Sequence, residues 1–133
     1  MITLGVDVGT THTKVLALEI ETGGTLALES AATPVVRDAA GEAHRPAQVL
    51  EVVLELVGAV VDRLPAGATL DALCVASVGE EVVLLDANGR PTSDAIAWYD
   101  PRGLEEAAAF MDGLGGKLPL SNRWSPDATF SLF

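Results

Sequence analysis

The sequence predicts a mixed α/β or α+β domain, a mixed sheet with flanking helices. Three observations carry that prediction. Residues 2–32 read as strand runs broken by tight glycine turns. Between Pro46 and Leu64, apolar residues recur at helical spacing: Val49, Leu50, Val53, Leu54, Leu56, Val57, Val60, Val61 and Leu64. Leu70 to Ala76 is then a short apolar run bounded by polar residues, the pattern of a buried strand. A strand that follows a crossover helix lies parallel to its sheet partner. Its end is therefore expected beside the end of the first strand.

In chain order, the first strand ends at Asp7-Val8, and Gly9-Thr10-Thr11-His12 makes a hairpin-like connection. Lys14 to Ile20 is the second strand, Glu21-Thr22-Gly23-Gly24 a turn, and Thr25 to Ala32 the third strand. Thr33 to Arg45 is polar and reads as a surface loop containing His44. Pro46 suits the first turn of a helix because the amide it lacks has no partner there. Pro65 and Gly67 end that helix, with Asp62-Arg63 on its polar side. Val82 to Asp86 reads as a strand, Asn88-Gly89 as its turn, and Ala95 to Trp98 as the returning strand. Asp100 reads as the cap of a helix from Arg102 to Asp112 with Pro101 in its first turn, and Glu105 and Glu106 suit its dipole. Gly113 to Lys117 reads as a loop, and Leu118 to Phe133 shows no period.

A length of 133 residues predicts one domain, and 49% hydrophobic residues argue for a folded body. Mean hydropathy is +0.35, and aromatics make up only 5%, so the core is expected to be aliphatic. Net charge is −11, which disfavours contact with nucleic acid and with anionic membrane. It also means that a bound phosphate needs donors placed locally. Cys74 lies in an apolar run and reads as a small core residue, and a single cysteine excludes an internal disulfide. No uninterrupted apolar segment is long enough for a membrane span, so a cytoplasmic protein is expected. The two histidines and one cysteine form no zinc pattern.

The turn after the first strand is where chemistry is expected. Gly9 permits close approach, and the amides and hydroxyls of Thr10, Thr11 and their neighbours converge on a space where an anion fits. Asp7 at the strand end is placed to hold a hydrated Mg²⁺ accompanying phosphates. The same residues also fit an ordinary hairpin turn.

Asp7-Val8-Gly9-Thr10-Thr11-His12-Thr13-Lys14 resembles the first phosphate motif of the FGGY carbohydrate kinases. That family lies in the actin-like, sugar-kinase and Hsp70 ATPase group. The resemblance implies a ribonuclease H-like partial domain, the N-terminal part of the first lobe of a xylulokinase- or glycerol-kinase-like protein. It implies ATP and Mg²⁺, with Gly9, Thr10, Thr11, His12 and Lys14 at the phosphates and Asp7 on the metal through water. His12 stands where the family usually has serine.

Two further stretches extend the likeness to about Glu106. Ala76-Ser77-Val78-Gly79-Glu80-Glu81 follows a strand, where open α/β sheets bind ligands. Glu80 aligns with a glutamate of glycerol-kinase-like members, and a carboxylate suits a vicinal diol. Val78 and Gly79 depart from the family pattern, which bears on the substrate. Ala95-Ile96-Ala97-Trp98-Tyr99-Asp100-Pro101-Arg102 resembles the family's Ile-x-Trp-x-Asp-x-Arg signature. An indole stacks on the apolar face of a sugar while Asp100 or Arg102 binds hydroxyls. The bland alternatives are a solvated acidic turn at Glu80-Glu81, Trp98 in the core, and an Asp100–Arg102 ion pair at a helix start. Trp124 is set against an aromatic near the family's sugar pocket.

The resemblance implies transfer of the ATP γ-phosphoryl group to a hydroxyl of a sugar or polyol, with Glu80, Trp98, Asp100 and Arg102 holding the acceptor. The family's catalytic base, the rest of its first lobe and its second lobe lie downstream, so no catalytic residue is expected within this chain. A fragment is expected, inactive alone. The apolar end Thr129–Phe133 suggests a homodimer. The alternatives are a noncatalytic sugar-binding or regulatory module of the same fold, and an actin-like assembly protein.

Overall fold

The computed structural model describes residues 1–113; Trp124 and the apolar end 129–133 lie outside the described residues. The chain divides into two compact units, one of residues 1–34 and 47–78, the other of residues 35–46 and the chain from Gly79 onward.

In the first unit, β1 (Ile2–Val8), β2 (His12–Glu19) and β3 (Gly24–Ala32) form the expected antiparallel meander. After the helix α1 (Pro46–Val61), β6 (Leu70–Ser77) returns parallel to β1, giving the sheet order β3-β2-β1-β6. Side chains alternate across a strand, so the register Leu4↔Ala17 and Val6↔Val15 places all four on one face. That face packs with Ala27 against Leu56 and Val60 of α1, and these residues are the core. Pro46 opens α1 as its missing amide predicts. Its end tightens: Arg63 and Leu64 donate to carbonyls three residues back, at 3.1 and 3.0 Å.

Burial corrects the reading of β6. The strand exists where expected and parallel as expected, yet all of its residues are exposed. Among the described residues it is an edge strand, and α1 leaves it uncovered. Leu50, Leu54, Leu73 and Val75 border an open apolar groove there. Cys74, expected in the core, is also exposed: alternation turns it to the face opposite Leu73 and Val75, away from α1.

The second unit departs further from the sequence reading. The expected loop from Thr33 to Arg45 contains a hairpin, β4 (Val36–Asp38) and β5 (Gly41–His44), and β5 pairs with β7 (Ala95–Ile96). These strands are too short and too polar to show a period. Their turn is made by Asp38, whose Oδ1 accepts from the amides of Ala40 and Gly41 at 2.8 and 3.2 Å. Conversely, Val82–Asp86 forms no strand. Only an isolated bridge joins Leu85 to Pro91, and Asp86 Oδ1 closes the Asn88-Gly89 turn through the amides of Asn88 and Arg90. The helix α2 (Leu104–Gly113) begins two residues later than expected, with Gly103 accepting its first bond from Ala107. Asp100 is therefore not its cap.

Candidate functional site

The phosphate-type turn is built within the first unit. The Gly9 amide donates to the His12 carbonyl at 3.1 Å, and a Cβ on Gly9 would sit 2.8 Å from that same oxygen. Any larger residue would push the turn open. Thr33, which begins the supposed loop, clamps the turn from behind. Its hydroxyl donates to the Gly9 carbonyl at 2.7 Å and its amide to the Thr11 carbonyl at 3.0 Å. A hydroxyl has one proton to give, so the fully buried Thr13 donates to Thr33 across 3.0 Å. Three carbonyls of the turn thus face protein donors rather than a ligand.

What remains on the solvent side suits an anion. Asp7 and Lys14 are direct cross-strand partners one pair in from the turn, and both are exposed. Among the described residues neither side chain enters a hydrogen bond or ion pair. Thr11 and His12 are also exposed, with Thr11 Oγ1 3.3 Å from His12 Nδ1. The strand β6 ends alongside: Val8 and Ser77 are in register and the Val78 amide donates to the Val8 carbonyl at 2.8 Å. Among the described residues no three His, Cys, Asp or Glu side chains gather as a metal cage. One free carboxylate beside phosphate donors still fits Mg²⁺, which keeps most of its waters and takes one or two carboxylates.

The acceptor-type residues belong to the second unit. Glu80 is exposed and has a φ of 72°, left-handed backbone that costs a non-glycine residue on the order of 1 kcal/mol. Its neighbour Glu81 turns inward. Glu81 Oε2 is 2.8 Å from His44 Nδ1, and Glu81 Oε1 accepts from the Trp98 amide at 3.3 Å. His44, read from sequence as a surface residue, is 4% exposed. Trp98 is 40% exposed, which overturns the alternative of a core tryptophan. Its ring meets Tyr99 edge to face at 5.6 Å.

Asp100 is 2% exposed and its oxygens are engaged by the chain itself. Arg102 grips it as a fork, Nε to Oδ1 at 2.7 Å and Nη2 to Oδ2 at 3.2 Å. The amides of Glu42 and Arg102 donate to the same carboxylate at 2.5 and 3.0 Å, and Arg102 Nη2 also reaches the Glu42 carbonyl at 2.7 Å. Burial works to raise the Asp100 carboxyl. The bonds from Arg102 and from the Glu42 amide outweigh it and hold the carboxyl below its ordinary value. Gly41 has a φ of 136°, and a Cβ there would lie 2.1 Å from Asp100 Oδ2. Glu42 is held below the ordinary carboxylate range by the Arg37 and Tyr99 hydrogen bonds, and burial with the Glu42 bond pushes the Tyr99 hydroxyl up.

The expected residues therefore fall into two sets. Gly9, Thr10, Thr11, His12, Lys14 and Asp7 come together in one hairpin. Glu80 and Trp98 are exposed, and Glu81 links their segments through the Trp98 amide; Asp100 and Arg102 bond mainly to each other and to Glu42. Sequence reading missed Thr33, Thr13, Glu42, His44 and Glu81 as parts of either set. Only Thr33 left a trace, as a hydroxyl between an alanine pair and a proline.

The comparisons agree on one family. Residues 2–117 match the N-terminal domain of the FGGY family of carbohydrate kinases. The xylulose kinases of Streptomyces coelicolor and Streptomyces rubiginosus are each 29% identical over 133 residues, spanning 97% of this chain and 26% of their own. The chain thus spans about a quarter of the length of these relatives. Among solved structures, xylulose kinase from Rhodospirillum rubrum superposes with a TM-score of 0.76 at 22% identity, covering 84% of this chain and 24% of that one. That from Lactobacillus acidophilus gives 0.73 at 20% identity, covering 86% and 23%. Identities this low carry the fold, that of the actin, Hsp70 and ribonuclease H-like sugar kinases. The chain belongs to the FGGY family of carbohydrate kinases, matching its N-terminal domain.

Proposed function

We propose that this chain forms the N-terminal part of the first lobe of an ATP-dependent kinase that phosphorylates a hydroxyl of a sugar or polyol. The observation that carries the reading is the Gly9 turn, with its carbonyls tied back by Thr33 and by the Gly9 amide and with Asp7 and Lys14 left opposed beside it. In this reading Lys14, Thr10, Thr11 and His12 bind phosphate oxygens, Gly9 keeps the turn tight enough for their approach, and Asp7 orients hydrated Mg²⁺. Bound Mg-ATP supplies the transferable phosphoryl group and the neutralisation of its charge. Glu80 accepts from acceptor hydroxyls, and Trp98 offers its ring to the apolar face of the sugar. Asp100 and Arg102 hold the segment that carries Trp98, with Arg102 retaining a partly exposed edge for a hydroxyl. No residue of this chain is assigned as the catalytic base.

The relatives named above are xylulose kinases, so a five-carbon ketose is the first acceptor to try. A cytoplasmic location follows from the use of ATP. No helix of the described residues is long and apolar enough to cross a membrane. The reading is tested by following the assigned protein NMR signals during titration of the chain with D-xylulose, glycerol and Mg-ATP in turn. Saturable millimolar contact from a sugar or polyol to the Trp98 indole, and from Mg-ATP to residues of the Gly9 turn, is expected. Absence of both overturns the reading. In a coupled ADP assay the chain alone is expected to show no sugar-dependent turnover.

A further inference from the structure

Glu81 and His44 are the buried groups for which the reading above has no use. The side chain of His44 is 6% exposed and that of Glu81 is 8% exposed. With the carboxylate as acceptor, His44 Nδ1 carries the proton of their 2.8 Å bond. His44 Nε2 is buried and meets no hydrogen-bond partner among the described residues. An apolar side chain of similar volume would fill this place without stranding a polar atom. What the imidazole contributes, and a leucine would not, is the Nδ1–H donor to Glu81.

Glu81 uses its two oxygens on two different segments. Oε2 meets His44 at the end of β5, and Oε1 accepts from the Trp98 amide. Glu80, the residue just before it, is held at a φ of 72°. A left-handed glutamate persists only where its surroundings enforce it, and the inward anchorage of Glu81 is the adjacent constraint. One carboxylate therefore sets both the outward projection of Glu80 and the position of Trp98. We propose that the His44–Glu81 pair is a positioning device that fixes the spacing between Glu80 and Trp98, and through it which acceptor fits. The proposal rests on the sugar-kinase reading, because it concerns the same two acceptor contacts.

The test compares His44→Leu, His44→Asn and Glu81→Gln in the full 133-residue chain, with sugar affinity measured by NMR titration. Asparagine presents an N–H near the place of Nδ1 but fills less volume; leucine fills the volume but cannot donate. The proposal expects His44→Leu and Glu81→Gln to weaken acceptor binding by about tenfold or more, the scale of a displaced binding group. It expects His44→Asn to recover most of that loss. Leucine outperforming asparagine would reduce His44 to packing and overturn the proposal. Wild-type affinity in all three variants would also overturn it while leaving the sugar reading intact. Failure of the unmutated chain to bind any acceptor removes both. If the variants do not fold, the wild-type chain decides. A Trp98 amide that exchanges with solvent as fast as an unbonded one contradicts the Glu81 contact; a protected amide supports it.

Discussion

The hairpin around Gly9 and the wall around Asp100 solve the same problem, fixing polar groups at a surface, in opposite ways. In the hairpin the determining bonds are short-range in sequence. Gly9 closes on His12, and even the clamp from Thr33 spans only 24 positions. In the wall, the Glu42 amide reaches Asp100 across 58 positions, Arg102 reaches Glu42 across 60, and His44 reaches Glu81 across 37. The hairpin leaves its charged residues free at the surface, where a ligand can take them. The wall spends its buried carboxylates, Asp100 and Glu81, on holding the chain together and exposes Glu80 and Trp98. A motif that reads identically as "binding residue" in sequence thus divides into groups that touch and groups that hold.

This contrast is sharpened most by Asp100→Ala. Loss of the carboxylate strands Arg102 and the Glu42 amide, a change expected to cost about 3 kcal/mol, read by urea unfolding. Protection of β1 and β2 amides against exchange is expected to survive, and its loss would erase the distinction between a local and a long-range device. Gly9→Ala should follow, at about 2 kcal/mol, because its Cβ meets backbone that has no rotamer to yield. Its signature is a collapse of Mg-ATP contacts in NMR together with the loss of stability. Thr33→Val keeps the shape but strips the donor from the Gly9 carbonyl. About 1–2 kcal/mol is expected from thermal melting, with Thr33→Ser near wild type. Lys14→Met is expected to change stability by less than about 0.5 kcal/mol while weakening Mg-ATP binding. A large stability loss there would mean that Lys14 is structural after all.

Acid probes the Asp100 bonds directly. The Asp100 carboxyl is lowered from its ordinary value of 3.8. Its contribution to stability is therefore complete above that ordinary value and is lost as pH falls toward the lowered folded one. Urea midpoints measured from neutral pH downward should show the wild-type advantage over Asp100→Asn shrinking across that window. A constant difference would mean the charge of Asp100 is not what holds Arg102.

Legibility followed the range of the interactions. The meander, the crossover helix and the parallel return of β6 were readable, because alternation, helical spacing and turn glycines are encoded residue by residue. So was the Asp7 to Lys14 hairpin. The β4–β5 hairpin was not, because three- and four-residue strands carry no period and its turn rests on one aspartate. The exposure of Cys74 and of all β6 was also hidden: an apolar run looks the same whether one sheet neighbour covers it or two.

By itself, the sequence determined the family, the order of the principal elements and the hairpin from Asp7 to Lys14, since each depends on residues close together along the chain. Only the tertiary structure decided that Asp100 and Arg102 brace rather than project, that Thr33 clamps the turn, and that His44 and Glu81 are buried. Those outcomes depend on which distant backbone amides and carbonyls arrive beside a given side chain. A buried polar group must then bond to whatever has arrived.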